Sequence, residues 1–409
     1  MTVRPAPDPE DLAGLDLGDV RVHAEYDLAA VWRHLRDTVP VHWNASPGSA
    51  PGGFWVVTRY ADVVSVYRDP RRFSSARGNL LTALLQGGDS AAGRMIAVSD
   101  GPRHSAVRSL LAPTLGPRTL HRLRERVADT TTRLLGEAVR RGRCDFAAEV
   151  AAHVPLSTIC DLLGVPGPDR PFLREQTSLA LGSDTPTQSP AEVWVARNEI
   201  LLYFRELVRA RRGQPADDLV SVLATARVDG EEVSEDEIIL NCYSLILGGD
   251  ETARMSMSGA VAAFAGHGDE WRRLRAGAVD LASAVEEVMR WTSPAMHAGR
   301  TVTEDVELHG QHLRAGDIAT VWNISANFDE REFDGPERFD LDRSPNRQLS
   351  FGYGAHFCLG ASLARIEISA LLEALRSTVS AIELDGPPQR IYSTFLAGFT
   401  SLPVALTPA

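Results

Sequence analysis

Phe351-Gly-Tyr-Gly-Ala-His-Phe-Cys-Leu-Gly360 is the stretch on which the reading of this chain turns. Gly352 and Gly354 let the backbone bend tightly at positive φ and come close to a flat ligand. Cys358 then stands at the start of an apolar helix, expected from about Leu359 to Arg376. Free N–H groups and the positive dipole end stabilise a thiolate there. A thiolate is a good ligand for iron, and its electron donation helps to break an O–O bond. A single cysteine after a glycine turn is, by itself, an ordinary buried residue. The joint spacing of Phe351, Gly354, His356, Cys358 and Gly360 is what points beyond packing.

Upstream, Leu247-Gly-Gly-Asp-Glu-Thr-Ala-Arg254 falls inside a long helix. Ser234 with Glu237 three residues on is a capping-box pattern, so the helix starts there and is expected to run to about Ala265. Two glycines in a helix interior cost roughly 1 kcal/mol each against alanine. Gly248 and Gly249 therefore serve either a tight helix crossing or a groove that admits small molecules. Thr252 can bond back to a carbonyl freed by a local kink. Glu251 can pass protons inward from solvent, and an acid beside a hydroxyl suits proton delivery to dioxygen.

These segments resemble the signatures of the cytochrome P-450 family, and the matches run in the family's order from about Val22 to Pro408. Gly248 to Thr252 follow its Ala/Gly-Gly-x-Asp/Glu-Thr pattern, although Ala253 stands where a second hydroxyl residue is common. The family's Glu-x-x-Arg pair is uninformative alone, since any helix surface produces such pairs. The pattern occurs at least five times in this sequence, and only Glu287/Arg290 falls 38 residues after Thr252 and 68 before Cys358, as the order requires. Arg338, in Pro336-Glu-Arg-Phe339, resembles the third member of that buried charge cluster, a structural role.

The resemblance implies a mainly α fold with a small β region, a triangular helix-rich prism. It implies one haem-thiolate domain over 21–409 behind a flexible tail, 1–20. Haem b is the implied cofactor, with Cys358 as axial ligand and Phe351, Gly360, Gly248 and Gly249 against the ring. His104 and Arg108 in Asp100-Gly-Pro-Arg-His-Ser-Ala-Val-Arg108, with Arg300 and His356, are the implied propionate anchors. The implied chemistry is insertion of one oxygen atom of O2 into a C–H bond. Electrons would come from NAD(P)H through ferredoxin reductase and ferredoxin, with Arg103 and Arg343 or Arg347 as a docking face for the acidic donor.

Leu84, Met95, Leu245, Ala295, Met296, His297, Phe395 and Leu396 are the implied substrate-pocket residues, which suits a largely hydrophobic substrate. His297 is the polar exception, either a satisfied rim histidine or a group that orients a substrate carbonyl or hydroxyl. The closest subgroup resemblance is to soluble bacterial, actinomycete-like enzymes that tailor natural products, some tethered to an acidic carrier protein. Arg205, Arg209, Arg211 and Arg212 form a candidate carrier patch, although helix C-termini attract arginine anyway. Steroid or lipid hydroxylation, oxidative coupling or cyclisation, and a non-catalytic haem ligand-binding protein are the alternatives.

Bulk properties agree. The chain has 409 residues, a net charge of −12, and only arginine among its 42 basic residues, which disfavours nucleic acid and anionic membranes as partners. Residues 1–19 lack the pattern of a secretory signal. The longest apolar stretch, near Ile238–Leu247, is bounded by acids and too short to span a bilayer, so a cytoplasmic protein is expected. The four cysteines are far apart with no CxxC pair, which excludes a zinc knuckle and covalent haem attachment. Helical periodicity covers Thr119–Arg140 and Val193–Arg212. Phe54–Thr58 reads as a strand, Ala61–Arg68 as a helix, and Asn79–Ser99 and Gly182–Pro190 as loops. Thr301–Thr320 alternates as in a small sheet.

Overall fold

The structure is a computed structural model that describes residues 4–5, 15–181, 185–228 and 230–409. It is mainly α with a small β region. The principal helices in chain order are α1 (Val20–Glu25), α2 (Ala29–Thr38), α3 (Tyr60–Arg68), α4 (Gly101–Leu111), α5 (Pro117–Arg141), α6 (Val154–Leu163), α7 (Arg170–Leu181), α8 (Pro190–Gly213), α9 (Glu235–Gly266), α10 (Leu281–Thr292) and α11 (Ala361–Thr378).

Local chemistry sets their ends. α5 opens on Pro117, whose missing N–H has no helical partner to lose, and closes on Gly142 at φ 75°. α8 opens on a complete capping box from Ser189 and Glu192. The Ser234 hydroxyl accepts the Glu237 N–H at 3.3 Å, and Glu235, Asp236 and Glu237 face the positive end of α9. α9 is the spine of the molecule, buried around most of its circumference and packed against α6, α7, α8, α10 and α11.

The β region has two main sheets. With β1 (Val41–Ala45), β2 (Gly53–Val57), β3 (Phe73–Ser74), β4 (Arg143–Asp145), β5 (His297–Val302), β6 (Ile318–Trp322), β7 (Val379–Leu384) and β8 (Pro403–Pro408), the orders are β1-β2-β6-β5-β3 and β7-β8-β4. Ala319 of β6 faces Trp55 of parallel β2 and Arg300 of antiparallel β5. β5 begins four residues before the alternation seen in the sequence. Most of its residues are buried, so it shows no polar–apolar alternation.

Two expectations are corrected. Contacts with the rest of the fold are present before residue 21 among the described residues: Arg4–Pro5 pair with Tyr26–Asp27, Leu15 and Leu17 are buried, and the Leu17 N–H donates to Asn44 Oδ1 at 2.9 Å. Residues 6–14 of the expected tail lie outside the described residues. The charge cluster also has a different third member. Glu287 and Arg290 are fully buried and joined by two bonds of 2.8 Å. The second arginine on Glu287 is Arg343, at 3.1 Å, and not Arg338. Arg338 has an exposed side chain paired with Asp340, and only its carbonyl joins the cluster. Arg343 reaches inward because it also donates to the carbonyls of Asp334, Gly335 and Arg338, which fold the loop around it. Buried there, it is no part of a docking face. No helix among the described residues is long and apolar enough to cross a membrane.

Candidate functional site

The Cys358 loop is built on backbone geometry that only glycine adopts easily. Gly352 and Gly354 have φ of 66° and 71°, and a Cβ on Gly354 would meet the Tyr67 carbonyl oxygen at 2.6 Å. The Cys358 N–H donates to the Phe351 carbonyl at 2.9 Å, and α11 starts three residues later. Burial pushes the Cys358 thiol up, while the Gly360 N–H and the charges of Arg108 and Arg365 pull it down. Arg365 lies over the Phe351 ring at 4.5 Å and is fixed by Glu286.

Cys358 lines a cavity of about 320 Å³, which Gly248 and Thr252 of α9 also line. The Thr252 hydroxyl donates to the Gly248 carbonyl at 2.9 Å. The two glycines divide the roles left open by the sequence. A Cβ on Gly248 would meet nothing within 4 Å, so this position opens space. A Cβ on Gly249 would lie 2.9 Å from Ile159 of α6, so this one is a helix-packing glycine.

The acids on this turn are more enclosed than expected. Glu251 is buried and paired with Arg254 at 2.9 Å, so it does not face bulk solvent. Asp250 is buried too, with one carboxylate oxygen accepting from Thr177 of α7 at 2.8 Å. Burial and neighbouring Glu251 push its carboxyl up to about 7. The sequence reading missed Glu367 of α11, a buried cavity-lining acid pushed up to about 8 by burial. Its one signal was a carboxylate between apolar residues, Ile366-Glu-Ile368.

The expected haem anchors cluster. His356 Nε2 lies 2.9 Å from Asp100, and the His104 ring stacks beside it at 4.3 Å. Burial pulls His104 down to about 4, helped by His356. Burial raises Asp100, but bonds from His356 and Ser74 outweigh it and hold the carboxyl at about 2. Arg108 donates to the Phe357 carbonyl at 2.6 Å. Arg300 is buried over the Tyr67 ring and donates to the Gly299 carbonyl beside it. Haem fits this donor set. Among the described residues, buried His104 Nε2 has no partner and buried Arg300 forms no ion pair, and the space over Gly248 is free for a ring.

Of the expected pocket residues, Leu245, Ala295, His297 and Phe395 line the Cys358 cavity. Met296 and Leu396 line a second cavity, of about 730 Å³, behind that wall. For Met296 the reason is local: it stands between Ala295 and His297 in an extended segment, where consecutive residues point to opposite sides. Leu84 abuts Gly299 instead, and Met95 packs with Ala91 and Val98. Residues 182–184 of the expected loop Gly182–Pro190 lie outside the described residues.

The expected docking cations are engaged internally. Arg211 is held by Asp218 and the Gly164 carbonyl, and Arg209 and Arg212 share Glu235. Arg205 reaches Glu206 at 3.7 Å, Arg103 grips Glu237, and Arg347 meets Glu332.

Comparison with known proteins gives consistent matches. The family model described as Cytochrome P450 matches residues 281–397. Cytochrome P450 NovI of Streptomyces niveus is 46% identical over 407 residues, covering 100% of both chains. The steroid C26-monooxygenase of Rhodococcus jostii is 34% identical over 403 residues, covering 96% of this chain and 84% of that one. The crystal structure of P450 OxyD, involved in the biosynthesis of vancomycin-type antibiotics, superposes with a TM-score of 0.87. It is 36% identical, with 97% of this chain and 100% of that chain covered.

Proposed function

The chain belongs to the cytochrome P450 family and is a P450 monooxygenase, and from that premise we propose that it tailors a natural product by oxidising a C–H bond of a largely apolar intermediate. The observation that carries the proposal is the placing of Cys358 and the Gly248–Thr252 turn of α9 in the walls of one cavity. Haem held here would supply the iron chemistry by which O2 is activated, and a thiolate is the ligand suited to that chemistry. Cys358 would hold it, with the Gly360 N–H, Arg108 and Arg365 offsetting part of the burial that raises its thiol. His104, Arg108, Arg300 and His356 take the two propionates.

Thr252 holds its hydroxyl at the cavity wall, where it can hand on a proton, and Glu251 one residue away supplies it. Because Glu251 is closed off by Arg254, its proton arrives when that pair opens and not by direct contact with bulk water. The apolar walls at Leu245, Ala295 and Phe395 exclude water and orient the substrate. Electrons come from NAD(P)H through ferredoxin reductase and ferredoxin. The resemblance to NovI and OxyD supports natural-product tailoring, and the steroid C26-monooxygenase relative supports steroid oxidation as the second reading.

The test has two parts. Reduced protein exposed to carbon monoxide should give the absorption band from which the family takes its name. Steroids, free peptides and aminoacyl carrier conjugates should then be titrated by Soret shift, and the binder turned over under heavy-isotope O2. A product carrying one labelled oxygen supports the proposal. Loss of two hydrogens without oxygen indicates coupling, and no porphyrin binding refutes the whole reading.

A further inference from the structure

Most polar side chains in the walls of the Cys358 cavity bond to the protein itself. Tyr67 donates to Asn323, whose amide donates to the Ala295 carbonyl. Thr252, Ser256 and Ser350 each donate to a backbone carbonyl. His297 differs. It is 1% exposed and lines the cavity; among the described residues neither ring nitrogen has a partner in hydrogen-bond geometry, and the Thr394 backbone is the nearest group to act on it. Its ring is fixed between Trp322, at 4.8 Å, and the edge of Phe395, at 5.9 Å, so it cannot swing out to find water.

A buried polar group without a partner is costly, and native proteins rarely keep one without a use. We propose, on the P450 reading above, that His297 is the specificity-determining contact of this site and recognises an uncharged hydroxyl or amide group on an otherwise apolar substrate.

The charge of the imidazole narrows the ligand class. Burial, with the neighbouring His23 adding to it and the Thr394 backbone opposing it, pulls His297 down to about 3, so the ring is neutral at physiological pH. His23 is half-buried with Nε2 on the Leu17 carbonyl, and the flanking Trp322 and Phe395 carry no charge. A neutral imidazole offers one donor and one acceptor. A hydroxyl or a carboxamide satisfies both, whereas a carboxylate or an ammonium would be desolvated there without a counter-charge.

The test uses haem-loaded wild type, His297→Phe and His297→Gln. Phenylalanine keeps the aromatic contacts without the nitrogens, and glutamine restores a donor and an acceptor. The probes are para-phenylphenol and biphenyl, a matched pair differing by one hydroxyl, titrated by Soret shift at pH 6 and pH 8. Wild type should prefer the phenol by about three- to tenfold, the range of one neutral hydrogen bond, equally at both pH values. The preference should vanish in His297→Phe and return in part in His297→Gln. Equal affinity for the two probes in wild type, failure of both to bind, or an unchanged ratio in His297→Phe overturns the proposal. The carbon monoxide band is recorded for all three proteins. Its presence in each keeps failure of this inference separate from failure of the haem-thiolate reading, and its loss in His297→Phe alone leaves the glutamine variant to decide through its ratio.

Discussion

Replacing Arg343 with alanine should destabilise this protein far more than replacing Arg338, although Arg338 is the arginine that the sequence pattern favoured. Arg343 has a 5% exposed side chain and donates to Glu287 at 3.1 and 3.3 Å and to three backbone carbonyls. Its removal leaves Glu287 with Arg290, the Asp340 N–H and the Asn346 amide. It also leaves the Asp334 and Gly335 carbonyls without this donor. Breaking a buried ion pair costs about 3–5 kcal/mol, a large part of the roughly 5–15 kcal/mol that holds a typical domain together. The Arg338 side chain is 63% exposed and meets only Asp340, so its loss costs under about 1 kcal/mol. Urea unfolding of the haem-loaded variants, followed by tryptophan fluorescence, measures both. Arg343→Lys should fall between them, because one ammonium cannot replace a fork that meets a carboxylate and carbonyls together. Losses within about 1 kcal/mol of each other for the two alanine variants would refute the placement of Arg343.

Gly249→Ala should destabilise by about 1–3 kcal/mol through its clash with Ile159, and Ile159→Val should recover part of that loss. Gly248→Ala meets no protein atom and should stabilise the helix by up to about 1 kcal/mol while weakening ligand binding in Soret titrations. Asp250 keeps its proton in the fold where the unfolded chain has lost it. Stability should therefore fall as pH rises from the ordinary 3.8 towards about 7 and level off above, and Asp250→Asn should flatten that fall in urea midpoints. Thr252→Ala should lower product formed per O2 consumed by up to about a hundredfold, with Thr252→Ser largely restored, as read by product and oxygen-uptake assays.

The parts of this fold that the sequence announced are those fixed by local chemistry. The turns at Gly352 and Gly354 and the cap at Ser234 are each decided within a few residues, and the structure places them at the expected positions. What stayed hidden depends on partners far along the chain. Arg338 and Arg343 look alike in sequence, and only Glu287, more than fifty residues upstream, tells them apart. Met296 looked like a pocket residue because its neighbours are, yet an extended segment alternates its sides. Burial of Glu251, Asp250 and Glu367 comes from the packing of α6, α7 and α11 against α9, which no local pattern encodes.

The distribution of charge around the cavity bears on what the site can distinguish. The buried cation Arg300 and the His356–Asp100–His104 cluster are the groups matched to a haem's carboxylates. Bound haem would therefore answer that charge and leave little of it for a substrate. The other polar groups at the wall are neutral at physiological pH: Thr252 and Ser256 are hydroxyls, His297 is uncharged, and Glu367 is pushed up to about 8. A site of this kind selects poorly by ionic attraction, because a charged substrate group would lose its hydration without gaining a counter-ion. It selects well by hydrogen bonds, because a substrate lacking the matching group leaves a buried donor or acceptor unmet. Discrimination among apolar substrates should therefore follow the position of a single hydroxyl or amide and change little with ionic strength.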